Sequence, residues 1–321
     1  MTKKPIVLVT RKLPDTVEKV IDSKFDARFN IDDRLYSSDE LVELSKDVDA
    51  IIACHTEHFT PALFDCLPEN VRAIANMSVG VDHVDLGAAK SHGIIVTNTP
   101  GVLNDATAEL TMLLILGAAR RASEGERLIR SGGWNSWSPR FMLSTQVTGK
   151  RLGIIGMGGV GRITARRALG FDMEVHYHNR RQLPADAVSG AVFHDTLESM
   201  LPLCDFLALH CPATSETEKL LNADVIAQLP DRAIVVNAAR GKVVDEQALI
   251  AALRSGKLAA AGLDVFDNEP NINPEFAKLD NVFLLPHMGS ATRETRDAMG
   301  LKVVENLTAI FSGQEPPDRV A

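Results

Sequence analysis

The chain has 321 residues, 45% hydrophobic and 24% charged, which suits two globular domains, each large enough to bury its own core. Its net charge of −8 points away from nucleic acid and anionic membrane surfaces, though a local basic site for an anionic substrate is compatible with it. The most apolar stretch, Leu110–Ala119, is too short to cross a bilayer. The start, MTKKPIVLVT, runs into a strand pattern without a signal-peptide cleavage site. Cys54, Cys66, Cys204 and Cys211 show neither metal-ligand nor redox-pair spacing, so we expect reduced thiols, a cytoplasmic location and no bound metal.

The first hundred residues alternate between strand and helix patterns. Strands are predicted at Ile6–Thr10, Ala50–Cys54, Ala73–Met77 and Ile94–Thr97. Helices are predicted at Asp39–Lys46, behind a Ser38 N-cap, and at Leu86–His92. Such alternation implies a parallel sheet covered by helices. A long helical pattern, Asp105–Arg130, follows Pro100-Gly101, with interruptions expected near Gly117 and Gly125. Its first half is apolar nearly all round, which predicts burial between domains or subunits. Gly132–Thr148 lacks periodicity, holds both tryptophans and reads as an ordered loop. Strands then recur at Arg151–Ile155, Glu174–His178, Phe206–His210, Ala233–Asn237, Ala260–Asp264 and Val282–Leu285. Helices include Glu246–Ser255 and a last one at Arg293–Phe311.

The run Arg151–Gly161, RLGIIGMGGVG, joins a strand to a helix through Gly156-x-Gly158-x-x-Gly161. Three glycines at this spacing supply a tight turn and a bare backbone, and the following helix aims its N–H groups at a nucleotide pyrophosphate. In an NAD site a carboxylate about 20 residues further on holds the ribose 2′-hydroxyl. Here that position is Asn179, followed by Arg180 and Arg181, a pair suited to a 2′-phosphate. We therefore expect NADP(H) to be preferred, with NAD(H) as the alternative. The motif lies mid-chain, so a first domain precedes it and the last helix returns to that domain. The expected boundaries are 1–99 with 287–321, and 100–286, with the chemistry in the cleft.

Three predicted strand ends each carry one charged or titratable residue: Arg240 in NAARG, Glu269 in DVFDNEP and His287 in PHMGS. In a parallel sheet these ends lie along one rim, beside the nucleotide. The trio suits reduction of a 2-oxo acid. His287 can supply a proton near neutral pH, Glu269 can favour its protonated form, and Arg240 can hold a carboxylate and polarise a carbonyl.

These segments, with Met77–Asp82, Asn98–Val102, His210-Cys211-Pro212 and Gly262–Phe266, resemble the D-2-hydroxyacid dehydrogenases of the glyoxylate/hydroxypyruvate reductase type over nearly the whole chain. The resemblance implies a flavodoxin-like substrate domain and a Rossmann dinucleotide-binding domain, both doubly wound α/β. It implies that Arg240, Glu269 and His287 are catalytic and that the Val79 and Gly80 N–H groups hold the substrate carboxylate, with Ser290 nearby. It assigns the cofactor to Thr107, Gly156, Met157, Gly158, Gly159, Val160, Gly161, Cys211, Pro212, Ala238, Ala239, Asp264, His287 and Gly289, beside Asn179, Arg180 and Arg181. Gly159 stands where such chains usually carry arginine. Trp134-x-x-Trp137-x-Pro139 resembles a segment that reaches the partner subunit's site, which implies a homodimer with Trp137 near substrate. The expected function is NADPH-dependent reduction of glyoxylate and hydroxypyruvate, with no nucleic-acid or membrane partner. The alternatives are a broader 2-oxo-acid or sugar-acid reductase, and a nucleotide-sensing binding protein of the same fold.

Overall fold

The computed structural model describes residues 3–321. The chain divides into two compact units, Met1–Leu103 with Ala291–Ala321, and Asn104–Ser290. The crossings fall four residues beyond the expected 99/100 and 286/287. One reason is that the turn after Pro286 stays tied to the second unit: the Met288 and Gly289 N–H groups donate to the Asp264 carboxylate at 2.8 and 2.9 Å.

In the first unit β1 (Ile6–Val9), β2 (Asp26–Phe29), β3 (Ala50–Ala53), β4 (Ala73–Asn76) and β5 (Ile95–Thr97) form a parallel sheet of order β2-β1-β3-β4-β5. Helices α1 (Asp15–Lys24), α2 (Ser38–Leu44), α3 (Pro61–Cys66) and α4 (Leu86–Ser91) connect the strands. The central strands β3 and β4 are buried at every residue, which is why they read as unbroken apolar runs. β2 sits at the edge, partly exposed, and its DARF sequence carries no such signal. The N-cap of α2 is Ser37, one residue before the expected Ser38. Glu40 lies three residues after Ser37, so the two close a capping box: the Glu40 N–H donates to Ser37 Oγ at 3.3 Å and the Ser37 N–H to Glu40 at 2.9 Å.

The second unit begins with α5 (Asn104–Ala119) and α6 (Ala122–Arg130). The expected long helix breaks at Arg121, whose φ is 55°, and not at Gly117 or Gly125. Its sheet contains β6 (Arg151–Ile155), β7 (Glu174–His178), β8 (Val192–His194), β9 (Phe206–Leu209), β10 (Ala233–Asn237), β11 (Leu258–Leu263) and β12 (Val282–Leu284). All run parallel, in the order β12-β11-β10-β9-β6-β7-β8. Helices α7 (Gly159–Leu169), α8 (Leu197–Met200), α9 (Ala223–Gln228) and α10 (Glu246–Ser255) pack with it, and apolar cores form on both of its faces.

The apolar first half of that pattern is α5, which packs within its own unit on α7, β10, β11 and β12. Gly117 permits this approach, because a Cβ there would stand 2.6 Å from the Phe283 ring. The last helix, α11 (Arg293–Phe311), belongs to the first unit and packs on α1 and β4.

Candidate active site and cofactor cradle

The strand order of the second unit reverses beside β6. The chain leaves β6 for β7 and β8, then returns to β9 on β6's other flank, so the turns after β6 and β9 diverge at a switch point. Gly156 ends β6 with φ 97°, and a Cβ there would come within 2.7 Å of the Cys211 backbone nitrogen. Gly161 likewise has no room for a side chain against the Gly156 carbonyl. At Gly158, by contrast, a Cβ would meet nothing within 4 Å. The first N–H groups of α7, at Gly159, Val160 and Gly161, have no intrahelical acceptor. Bare backbone, open space and a helix N-terminus coincide, which fits a dinucleotide pyrophosphate.

Beyond β7 the Asn179 carboxamide donates to the Arg181 carbonyl at 3.3 Å, and Arg180 and Arg181 are both exposed. Beyond β9 burial pushes the Cys211 thiol up to about 11, so it stays protonated at neutral pH. Cys54 and Cys204 are each pushed to about 12 by the same cause, which removes all three as thiolate nucleophiles. His210 has a buried Nε2 without a hydrogen bond among the described residues, and burial lowers its pKa to about 4. It is therefore neutral where the chemistry runs and cannot serve as the proton donor.

The trio occupies the turns after three neighbouring strands, β10, β11 and β12. Asn237, 1% exposed, shapes the first turn: its amide donates to the Arg240 carbonyl at 2.9 Å and its Oδ1 accepts the Ala239 N–H at 3.0 Å. Arg240 donates to the Ala239 carbonyl at 2.8 Å. The next residue must be glycine, since a Cβ on Gly241 would overlap the Phe266 backbone. That close approach seats the arginine turn on the glutamate turn. The Phe266 N–H then donates to Glu269 Oε1 at 2.7 Å, and Glu269 Oε2 meets His287 Nδ1 at 2.6 Å. The carboxylate is thus held by its own turn and orients the imidazole. The bond at Nδ1 fixes the orientation of the ring.

His287 has φ 50°, a left-handed conformation that few side chains adopt. Asp264 holds it there. The His287 N–H donates to the Asp264 carbonyl at 2.7 Å, and both carboxylate oxygens are occupied by the next two N–H groups. Asp264 is 1% exposed, and burial raises its pKa. Thr107, from the first turns of α5, donates to the Gly289 carbonyl at 3.3 Å. Two positioning residues, Asn237 and Asp264, are therefore buried polar groups whose signal in sequence is only their place at a strand end.

In the first unit, the turn after β4 turns its carbonyls inward. The Asn98 amide donates to the Val79 carbonyl at 2.8 Å, while Ser78 Oγ and the Asn76 amide donate to the Gly80 carbonyl at 2.5 and 3.1 Å. Neither the Val79 nor the Gly80 N–H donates a hydrogen bond among the described residues. Two adjacent unused donors on a braced turn can hold a carboxylate. Trp134 and Trp137 are 53% and 74% exposed in a segment without helix or strand. No described helix is long and apolar enough to cross a membrane.

Comparison with known proteins agrees with this architecture. The profile of the D-isomer specific 2-hydroxyacid dehydrogenase NAD binding domain matches residues 112–289. Glycerate dehydrogenase from Hyphomicrobium methylovorum is 41% identical over 317 residues, covering 98% of both chains. Glyoxylate reductase from Pyrococcus furiosus is 41% identical over 99% of this chain and 95% of its own. The crystal structure of NADPH-dependent glyoxylate/hydroxypyruvate reductase from Sinorhizobium meliloti, in complex with NADP and malonate, superposes with a TM-score of 0.87 at 34% identity. It covers 99% of this chain and 97% of that one. The chain belongs to the D-isomer specific 2-hydroxyacid dehydrogenases, enzymes that bind a nicotinamide dinucleotide.

Proposed function

We propose that the protein reduces glyoxylate and hydroxypyruvate to the 2-hydroxy acids with NADPH. One observation carries this reading: Arg240, Glu269 and His287 stand on three successive turns, with Glu269 bonded to His287 Nδ1. The dinucleotide supplies the hydride when bound. His287 delivers a proton from Nε2 to the carbonyl oxygen as charge builds there, and Glu269 holds the ring in place through Nδ1. Arg240 pairs with the substrate carboxylate and polarises the carbonyl with donors that remain charged. The Val79 and Gly80 N–H groups supply further donors to the carboxylate. The glycine turn takes the pyrophosphate, Cys211, Pro212, Ala238, Ala239 and Gly289 line the adjacent strand ends, and Ser290 lies close to substrate.

The relatives named for glyoxylate and glycerate support the small substrate class. Purified protein should oxidise NADPH when given hydroxypyruvate or glyoxylate. Comparison of kcat/KM across 2-oxo acids of increasing side-chain size should fall with size. A preference for larger acids would favour the broader reductase, and binding without turnover would favour a nucleotide sensor.

The NADPH preference rests on Arg180 and Arg181, exposed beyond β7 without a carboxylate at Asn179. Asn179→Asp combined with Arg180→Asp should shift the NADPH:NADH ratio of kcat/KM toward NADH by at least tenfold, since a carboxylate repels the 2′-phosphate and accepts from the 2′-hydroxyl. An unchanged ratio would remove these residues from that role. The homodimer is supported by the apolar side chains exposed along one segment, Trp134, Trp137, Phe141 and Leu143, of a kind that subunit contacts cover.

A further inference from the structure

Gly159 carries no side chain, and its surroundings show what takes that space. A Cβ on Gly159 would lie 2.8 Å from Asn104 Cγ and 3.0 Å from Asn104 Oδ1, with Nδ2 closer still. The Asn104 carboxamide therefore rests directly on the glycine turn. It comes from the first residue of α5, a helix packed against α7. The placement is pinned from the other end of α7, where Arg167 pairs with Asp105 at 2.9 Å and with Glu109 at 3.2 Å. Those arginine contacts also neutralise the carboxylate next to Asn104. The carboxamide itself makes no hydrogen bond among the described residues, and a Cβ on the neighbouring Gly158 would meet nothing within 4 Å. An amide in such a place has two donors to offer a ligand.

We propose that Asn104 is a pyrophosphate-binding residue. Its Nδ2 donates to the dinucleotide from α5, beside the glycine turn that opens α7. The inference rests on the dinucleotide reading of this unit and adds a residue outside the glycine motif. A side chain at 159 would displace the amide, so the glycine leaves Asn104 its place.

The test is direct binding to the protein without substrate, by titration calorimetry, using NADPH and NADH in parallel. Asn104→Asp keeps the shape of the side chain and replaces a donor with a negative charge. It should raise Kd by tenfold or more for both dinucleotides, because the pyrophosphate is common to them. Asn104→Ala should raise Kd about fivefold to tenfold for both, with Tm near that of the parent protein. Gly159→Ala, whose Cβ would push the amide aside, should raise Kd for both dinucleotides as Asn104→Ala does. The double variant Asn104→Ala, Gly159→Ala should bind no more weakly than Asn104→Ala alone, since the two changes remove the same contact. Parental affinity in Asn104→Asp overturns the proposal, because a residue that only packs would tolerate this isosteric change. A loss confined to NADPH also overturns it, since that would place Asn104 at the 2′-phosphate. If the parent protein binds neither dinucleotide, the underlying reading fails with it.

Discussion

His287→Ala should lower kcat with hydroxypyruvate by about 10²–10⁴, the range for loss of a positioned general acid. The imidazole is aimed at one task. Glu269 takes Nδ1 at 2.6 Å, and Asp264 holds the backbone at φ 50°. No other described histidine of the second unit is placed to substitute. His210 is neutral, with its pKa lowered to about 4 by burial, and His176, His178 and His194 lie at β7 and β8, on the far side of β6 from the trio. The dissociation constant for NADPH, measured without substrate, should change little, which separates proton transfer from cofactor binding. A kcat within threefold of the parent enzyme would dismiss His287 as the acid.

Arg240→Gln should lower kcat/KM by about 10³. The loss of one donor aimed at a developing oxyanion already costs about 10²–10³, and the substrate carboxylate loses its cationic partner as well. The backbone of the turn does not depend on the guanidinium. Asn237 braces it through the Arg240 carbonyl and the Ala239 N–H, and Gly241 seats it against Phe266. Tm should therefore stay close to that of the parent, and the defect should appear in both KM and kcat. Arg240→Lys should recover only part of the loss, since a point charge cannot reproduce the two-pronged geometry. If Arg240→Gln raises KM alone and leaves kcat intact, the residue only binds the carboxylate and does not act on the carbonyl.

Much of this arrangement was legible along the chain. β6, the glycine turn and α7 were readable because an apolar strand, a fixed glycine spacing and a helical period are all local patterns. The central strands were equally plain, for burial on both faces demands continuous apolar runs. The edge strands β2 and β8 went unread, since pairing on one side leaves half their residues free to be polar. The break of the long helix at Arg121 was also hidden. Gly117 and Gly125 looked like interruptions, yet Gly117 is a contact point for Phe283 inside an unbroken α5.

The residue types of the proposed chemistry, Arg240, Glu269 and His287, and the glycine cradle can be picked out from the amino-acid order alone, because each follows its own strand end and side-chain chemistry travels with the residue. Their mutual geometry was settled only by folding. The Glu269–His287 bond spans 18 residues, the Gly241 contact with Phe266 joins two separate turns, and Asn104 reaches Gly159 from another helix. No local periodicity encodes such pairs. They arise when parallel strands of one sheet align their ends and packed helices bring distant first turns together.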